Sequence, residues 1–539
     1  MIVSEQPELL ETNRKSLSKP AGRQALWLVL LASAAAWALL FATVPGQDFP
    51  LDDDWVYARG AISFAAFGGI DYVHWASPPQ LGQWLWACPF IWIGGPNHVC
   101  LRVSTILLSW LGLWAFFDLL GDQGARPASA GWATAALAFN PLYFLLQGTF
   151  MTDVPALSFS LVALALYSRA FKSRRLLLLV MAALVACLAV SSRQNTIVVP
   201  FIAVLLLAGS AELRRRPPWW LGAVGPAFIA ALTYWWQGQR PDVPAVPFAL
   251  GTWDTQLRYA FVALTYVGFA AAPLALWETT ECPRTPWFWA VALVSAGAWF
   301  YFDHDSGLPF GGLFPYSANI ITPAGAFSDL WYLDSRPELL SRPIRMAMTV
   351  MVVVGASGFL VAVWRKRKIT PTLWLAILQF PLLLVGPLFD RYMIFLMPGA
   401  LSTLCPGRPS RIGRLLGISI LVLFAISSVA LMHDWLAWQS ARWELARWAV
   451  NDLHIPATAI EGGIEWDGDH ERQPNLHPAT RRTRSFASNA SQWFPSITGD
   501  FGIGNNVRPR TKVLASRDYT TWLPPARRSV HLLAPAAKG

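Results

Sequence analysis

Charged side chains are scarce in this chain. Asp, Glu, Lys and Arg make up 14% of its 539 residues, against roughly 25% in an ordinary soluble protein. So few cannot cover the water-facing surfaces of several soluble domains. Hydrophobic residues reach 54% and the mean hydropathy is +0.39, which excludes disorder, because too much apolar surface would stay exposed. Cysteine is also sparse: Cys88, Cys100, Cys187, Cys282 and Cys405 form no CxxC pair and show no ligand spacing, so neither a disulfide framework nor a zinc site is expected. There is no glycine-rich phosphate loop and no dinucleotide fingerprint. The 40 Pro argue against a fibrous or coiled-coil design. What the chain does have, with 29 Trp and 31 Phe, is enough apolar length to bury most of it in lipid.

A hydrocarbon core of roughly 30 Å needs about 20 apolar residues as a helix, and about thirteen such runs can be found, some of them short. They begin near Ala25, Val99, Gly131, Val154, Leu176, Thr196, Trp219, Tyr259, Trp287, Ile344, Thr372, Tyr392 and Ile412. The run from Leu81 to Gly95 is short and broken by Pro89, so it reads as re-entrant or interfacial. The expected fold is an all-α polytopic membrane protein ending in a small extracytoplasmic α/β domain.

Orientation follows from Lys and Arg in short loops. With a cytoplasmic N-terminus, most basic residues fall on inner connections, among them Arg174 and Arg175, Arg214 to Arg216, and Arg365 to Lys368. The formal net charge of +10 is thus mostly a topology signal, and nucleic-acid binding loses its support. The expected organisation is a cytoplasmic tail (1–24), a transmembrane module (25–432) with outer loops 46–98 and 303–343, and an extracytoplasmic domain (433–539). The first span reads as a retained anchor, and the whole as a prokaryotic inner-membrane protein. Trp435, Trp438, Trp443 and Trp448, on a helical run after the last span, suit interfacial anchors. The runs TAIEGGIEW, TKVLAS and SVHLLAP look like strands.

This topology puts the acidic segments outside. QDFPLDDDW holds Asp48, Asp52, Asp53 and Asp54, and Asp153 follows the third span. Adjacent carboxylates resist joint ionisation, which is one way to raise a base above its usual range. A solvated acidic loop is the plainer reading of the same residues.

The order of motifs resembles the GT-C superfamily of integral-membrane glycosyltransferases, in its protein mannosyltransferase and aminoarabinose transferase-like branch. The family's acidic pair followed by an aromatic matches Asp53, Asp54 and Tyr57 in DDWVY. Its x-P-P segment matches Ser77-Pro78-Pro79, and its arginine in the next span matches Arg102. Thr152, Asp153 and Pro155 match the acidic position after span three, and Arg193 and Gln194 the basic position after span five. Asp390, Arg391 and Tyr392 resemble the late D/E-R-Y motif. The resemblance runs in order over roughly residues 25 to 405. One departure is Ser77, where relatives often carry a basic residue; His74 lies three residues earlier.

The resemblance implies a GT-C-like fold and sugar transfer from a polyprenyl-phosphate donor to an acceptor hydroxyl at the outer face, with inversion. The roles it implies are Asp53 as general base, Asp54 or Asp153 orienting it or holding the acceptor, and Arg193 and Arg391, with Arg59 or His74, on the donor phosphate. Tyr57 and Arg102 would support the site. No metal or other cofactor is expected to be essential, although the clustered acids leave room for Mg²⁺ or Mn²⁺. The expected partners are membrane lipids, the lipid-linked donor and a glycan, lipid or protein acceptor. Plainer roles remain open: Arg193 snorkelling to headgroups, Asp390 and Arg391 as an ion pair, Asp153 capping a helix, and Arg102 anchoring the acidic loop. A multipass transporter or lipid flippase is the rival reading, and a non-sugar transferase or ligase the nearest enzymatic one. Against transport, ionisable residues are few in mid-span and gather at one face.

Overall fold

A computed structural model describes residues 20–70, 75, 77–239, 251–278, 293, 297, 313–316, 319–327, 336, 338–366, 369–385, 388–405, 411–471 and 494–535. Among them, six helices are long and apolar enough to cross a membrane. They are α1 (Gln24–Thr43), α4 (His98–Asp122), α7 (Asp153–Ser173), α11 (Trp253–Glu278), α12 (Arg342–Lys366) and α15 (Arg411–Asn451). Other helices lie between them: α2 (Asp54–Phe67), α3 (Leu81–Gly94), α5 (Pro127–Ala138), α6 (Pro141–Gln147), α8 (Leu176–Ser192), α9 (Val198–Ala208), α10 (Pro217–Gly238), α13 (Pro371–Leu383) and α14 (Met397–Thr403). Leu28, Leu31, Leu177, Leu184 and Phe228 stay exposed on helix faces, as a lipid-facing surface requires.

Where the helices meet, small residues let backbones touch, the main way helices pack without a hydrophobic driving force between them. A Cβ added at Gly355 would lie 2.0 Å from the Gly268 carbonyl oxygen, so α11 and α12 cross in backbone contact.

Two of the expected spans are broken. The run beginning near Gly131 ends at Ala138 and restarts as α6, because the Asn140 side chain accepts the Leu142 N–H and Pro141 opens a new first turn. The run beginning near Tyr392 is a 3₁₀ turn (Asp390–Phe395) followed by the seven residues of α14, with Pro398 in its first turn. At 14 residues, or about 21 Å, α3 falls short of a bilayer, as its short run suggests, but the expected break at Pro89 does not occur: the helix continues through it. The span expected near Trp287 lies outside the described residues.

The last span does not stop at the membrane surface. Helix α15 runs for 41 residues, roughly 60 Å, and its second half carries the C-terminal segment. There Trp435 and Trp438 are fully buried and Trp443 is 5% exposed, so they pack against protein and do not serve as interfacial anchors. Apart from a two-residue pair earlier in the chain, β1 (Ile321–Thr322) with β2 (Gly325–Ala326), the described strands form a four-stranded sheet in this segment, in the order β3-β4-β6-β5, from β3 (Ile460–Glu461), β4 (Phe501–Gly504), β5 (Thr511–Trp522) and β6 (Pro525–Pro535). β5 and β6 include the expected TKVLAS and SVHLLAP runs. TAIEGGIEW does not form one strand: it pairs at two residues and then turns at Gly463 into helix α16 (Ile464–His470). Asp434 on α15 ties the sheet down by accepting the N–H groups of Trp522 at 2.6 Å and Leu523 at 3.0 Å.

Candidate active site

Several loop segments and the end of α8 converge at one end of the bundle. The first is the turn before α2. Asp54 N–H donates to Leu51 O, and the Asp54 carboxylate accepts Leu51 N–H at 3.2 Å and Phe150 N–H at 2.7 Å. Both of its oxygens are therefore committed to backbone, and they clasp this turn to the segment before α7. Gln83 holds the same segment by donating to Phe150 O at 2.6 Å. From within α4, Arg102 donates to Gly148 O at 2.7 Å, Gln47 O at 2.9 Å and Phe49 O at 3.2 Å. Arg102 is 1% exposed and acts as the peg on which both loops hang.

Within this frame Asp53 faces inward. One oxygen accepts the Trp75 indole N–H at 2.8 Å and the other the Arg391 guanidinium at 2.9 Å. Arg391 also reaches Asp52 at 3.4 Å and lies over the rings of Phe389 and Tyr392. Burial works against the charge on Arg391, but Asp53, Tyr392, Asp153 and Asp52 outweigh it and hold the guanidinium charged. Burial, then the neighbouring Asp53 charge, pushes the Asp52 carboxyl well up, with Arg391 opposing. Burial also raises Asp54, against the pull of Arg102 and its two N–H donors, and raises the Tyr57 phenol.

Asp390 does not pair with the guanidinium beside it. Its carboxylate accepts the N–H groups of Ile320 at 3.1 Å, Ile321 at 2.8 Å and Arg391 at 2.8 Å. It thereby fixes the loop at 320–321 against the site and frees the Arg391 side chain for Asp53. Burial pushes Asp390 up to about 6, with these N–H groups and Arg391 opposing.

The second carboxylate is Asp153, the first residue of α7 and fully buried. Arg193 Nη1 is 3.1 Å from Asp153 Oδ1, but the pair lacks hydrogen-bond geometry and both Asp153 oxygens are without a hydrogen-bond partner. Helix capping is therefore not what the side chain does. Arg193 donates instead to Thr152 Oγ1 at 2.6 Å and lies 4.7 Å from the centroid of the Tyr392 ring. At 7% exposed it is turned inward and does not snorkel. Arg193 and Arg391 thus share Tyr392, with Asp53 and Asp153 as their carboxylate neighbours. Gln194 donates to Ser77 O and Gln80 N–H to Ser192 O, which brings the x-P-P segment to the same place. Both polar atoms of the Gln80 side chain, Gln83 Oε1 and Arg391 Nε are buried without partners.

Tyr57 is buried on α2, one turn on from Asp53. Arg59 lies on α2 and is exposed. His74 lies outside the described residues. Two contributors carried no signal beforehand: Trp75, next to His74, and Glu465 of α16, which accepts Asp52 N–H at 3.3 Å. Among the described residues no group of three His, Cys, Asp or Glu side chains could hold a metal ion. The cation that meets Asp52 and Asp53 is Arg391.

The arrangement is two guanidiniums beside the carboxylates of Asp52, Asp53 and Asp153, all buried, with unused hydrogen-bonding atoms near them. Such a place suits an anion and a hydroxyl together.

Residues 77–236 match the family described as dolichyl-phosphate-mannose-protein mannosyltransferase. That stretch contains Ser77 to Pro79, Arg102, Asp153 and Arg193. None of the curated proteins matches the chain. Among solved structures, ArnT from Cupriavidus metallidurans bound to undecaprenyl phosphate is similar with a TM-score of 0.41 and 14% identity, over 95% of this chain and 99% of that one. The Archaeoglobus fulgidus oligosaccharyltransferase has a TM-score of 0.42 and 14% identity, over 90% of this chain and 64% of that one. Arabinosyltransferase EmbB from Mycobacterium smegmatis has a TM-score of 0.35 and 14% identity, over 77% and 40%. These likenesses are loose. Over residues 77–236, the stretch that brings Asp153 and Arg193 to the site, the chain is similar to the dolichyl-phosphate-mannose-protein mannosyltransferases, which are membrane glycosyltransferases.

Proposed function

We propose that the chain transfers a sugar from a polyprenyl-phosphate donor to an acceptor hydroxyl at the outer face of the membrane, in a single inverting displacement. The observation that carries this reading is the meeting of Asp53 and Asp153 with Arg391 and Arg193 in one buried place. Asp53 takes the acceptor proton as the new bond forms at the anomeric carbon. The bond from that carbon to the phosphate oxygen breaks, and its electron pair leaves on polyprenyl phosphate. Arg391 and Arg193 bind that phosphate through charge-assisted hydrogen bonds, and their fixed charges neutralise it as it departs. Each Asp53 oxygen keeps lone-pair capacity beyond its one hydrogen bond. Asp153, with neither oxygen hydrogen-bonded, holds the acceptor hydroxyl. This role falls to Asp153 because Asp54 is fully used by the backbone. The clasp formed by Asp54 and Arg102 maintains the geometry.

The family match supports a lipid-phosphate-linked donor, since its description names one. The C-terminal segment (433–539) is the extracytoplasmic part in this reading, and residues 1–24 are cytoplasmic. The test supplies labelled polyprenyl-phosphate sugars to membranes containing the native chain or Asp53→Asn. Transfer should fall by about 10²–10⁴-fold in the variant, the usual worth of a general base. Undiminished transfer with the variant correctly inserted would overturn the assignment.

A further inference from the structure

The turn that presents Asp53 is held in an unfavourable backbone conformation. Asp52 has φ +54°, in the left-handed region that non-glycine residues rarely adopt. Something outside the turn must hold it there. On its side-chain side, Asp52 meets Arg391 at 3.4 Å. On its backbone side, its N–H donates at 3.3 Å to Glu465 Oε1, more than four hundred residues later in the chain.

Glu465 is itself firmly fixed and has no exposure to solvent. Oε1 also accepts the Gln439 side-chain amide, and Oε2 accepts Arg442 Nη2 at 3.2 Å. Gln439 and Arg442 sit on the second half of α15, and Arg442 stacks over Trp438. The helix that carries Glu465 is pressed onto α2: a Cβ at Gly468 would come within 2.3 Å of the Trp55 ring. Phe494, from the same segment, stacks on Trp75, whose indole N–H binds Asp53. The C-terminal segment therefore reaches Asp53 by two routes, one through Asp52 and one through Trp75.

We propose that Glu465 is a positioning residue for the transfer site: by accepting the Asp52 N–H it holds the Asp52–Asp53 turn so that Asp53 meets Arg391, and the C-terminal segment is thereby part of the active site. Glu465 acts through Asp52 and Asp53 and touches no substrate. The proposal deepens the transfer reading and depends on it only for the kinetic half of its test.

Four full-length proteins decide the matter: native, Glu465→Ala, Glu465→Gln and Gly468→Val, each reconstituted in the same lipid. Two quantities are read, hydrogen exchange over residues 51–54 and steady-state transfer from a labelled polyprenyl-phosphate sugar. Glu465→Ala should speed exchange of the turn by about tenfold or more, the worth of one hydrogen bond to a charged group. It should lower kcat to a similar extent while leaving KM for the donor unchanged. Glu465→Gln keeps an acceptor oxygen for Asp52 and should restore both exchange protection and kcat most of the way to native. Gly468→Val leaves Glu465 and Arg442 intact but wedges α16 away from Trp55. It should reproduce the alanine phenotype, and it carries the test alone if the alanine variant does not fold. Native-like exchange in both Glu465→Ala and Gly468→Val, or a raised KM with kcat unchanged, would overturn the proposal. If the native chain transfers no sugar, the transfer reading falls, and the exchange measurement still decides the role of Glu465.

Discussion

Arg102 offers a quantitative test of how the site is assembled. Its guanidinium is the shared donor for carbonyls in two loops, Gln47 and Phe49 on one side and Gly148 on the other. Arg102→Met keeps the length and apolar stem of the side chain and removes every one of these donors. Gly148 O and Phe49 O then lose the donor, each at about 1–3 kcal/mol, while Gln47 O keeps Phe49 N–H. Relief of the guanidinium's own burial returns part of that and leaves a net loss of about 2–4 kcal/mol. At about 1.4 kcal/mol per factor of ten, opening of the two loops should become roughly thirty to several hundred times more frequent. Hydrogen exchange at the amides of Asp54 and Phe150 reads this directly, because the former donates to Leu51 O and the latter to the Asp54 carboxylate. Exchange in the distant α11–α12 pair should not change. Native protection of Asp54 and Phe150 in Arg102→Met would refute the idea that this arginine holds the loops.

Trp75→Phe keeps the stack on Phe494 but removes the N–H that Asp53 accepts; kcat/KM should fall about tenfold, the worth of one hydrogen bond to a charged group. Arg193→Met should raise KM for the lipid donor more than it lowers kcat, since the phosphate is held in the ground state as well; the split is read from initial rates over a range of donor concentrations. The Asp390 carboxyl, raised to about 6 from an ordinary 3.8, gives a pH signature in stability. An acid raised on folding makes the native state bind more protons than the unfolded one between those two values, so its contribution is fully present below 3.8 and is lost as pH rises through 6. Native protein should therefore lose about 3 kcal/mol from this group across that window, and Asp390→Asn should remove that slope in thermal unfolding measured from pH 4 to 7.

The features set by local pattern were legible in the sequence. Long apolar runs gave the spans of α1, α4, α7, α11, α12 and α15, and the short motifs gave Asp53, Asp153, Arg193 and Arg391, which the fold brings together. Chance spacing would not bring Arg391 to Asp53 across 338 positions, but nothing in the local pattern names that pairing either. The division of labour among neighbouring acids was not legible, because it depends on which backbone N–H groups each one meets: Asp54 meets two, and Asp153 none. Asp390 looked like the partner of the arginine beside it, whereas the loop at 320–321 takes its carboxylate. The break at Asn140-Pro141 was written in the sequence as a cap followed by a first-turn proline, but the apolar residues around it read as one run. Trp435, Trp438 and Trp443 suit an interface by composition alone; their burial depends on partners distant in sequence, with Phe327 stacked on Trp435, Asn505 accepting the Trp438 indole N–H and Trp466 packed on Trp443. Glu465 had no motif around it, and only the folded C-terminal segment brings it to Asp52.

The most direct test of the central claim follows one labelled sugar on a polyprenyl-phosphate donor, supplied to proteoliposomes together with an acceptor-containing membrane extract. Sugar transferred and polyprenyl phosphate released are counted together, alongside any intact donor that crosses the bilayer. The account predicts one lipid phosphate released for each sugar transferred, with both lost in Asp53→Asn. Intact donor crossing the bilayer with no phosphate released would contradict it and favour a transporter.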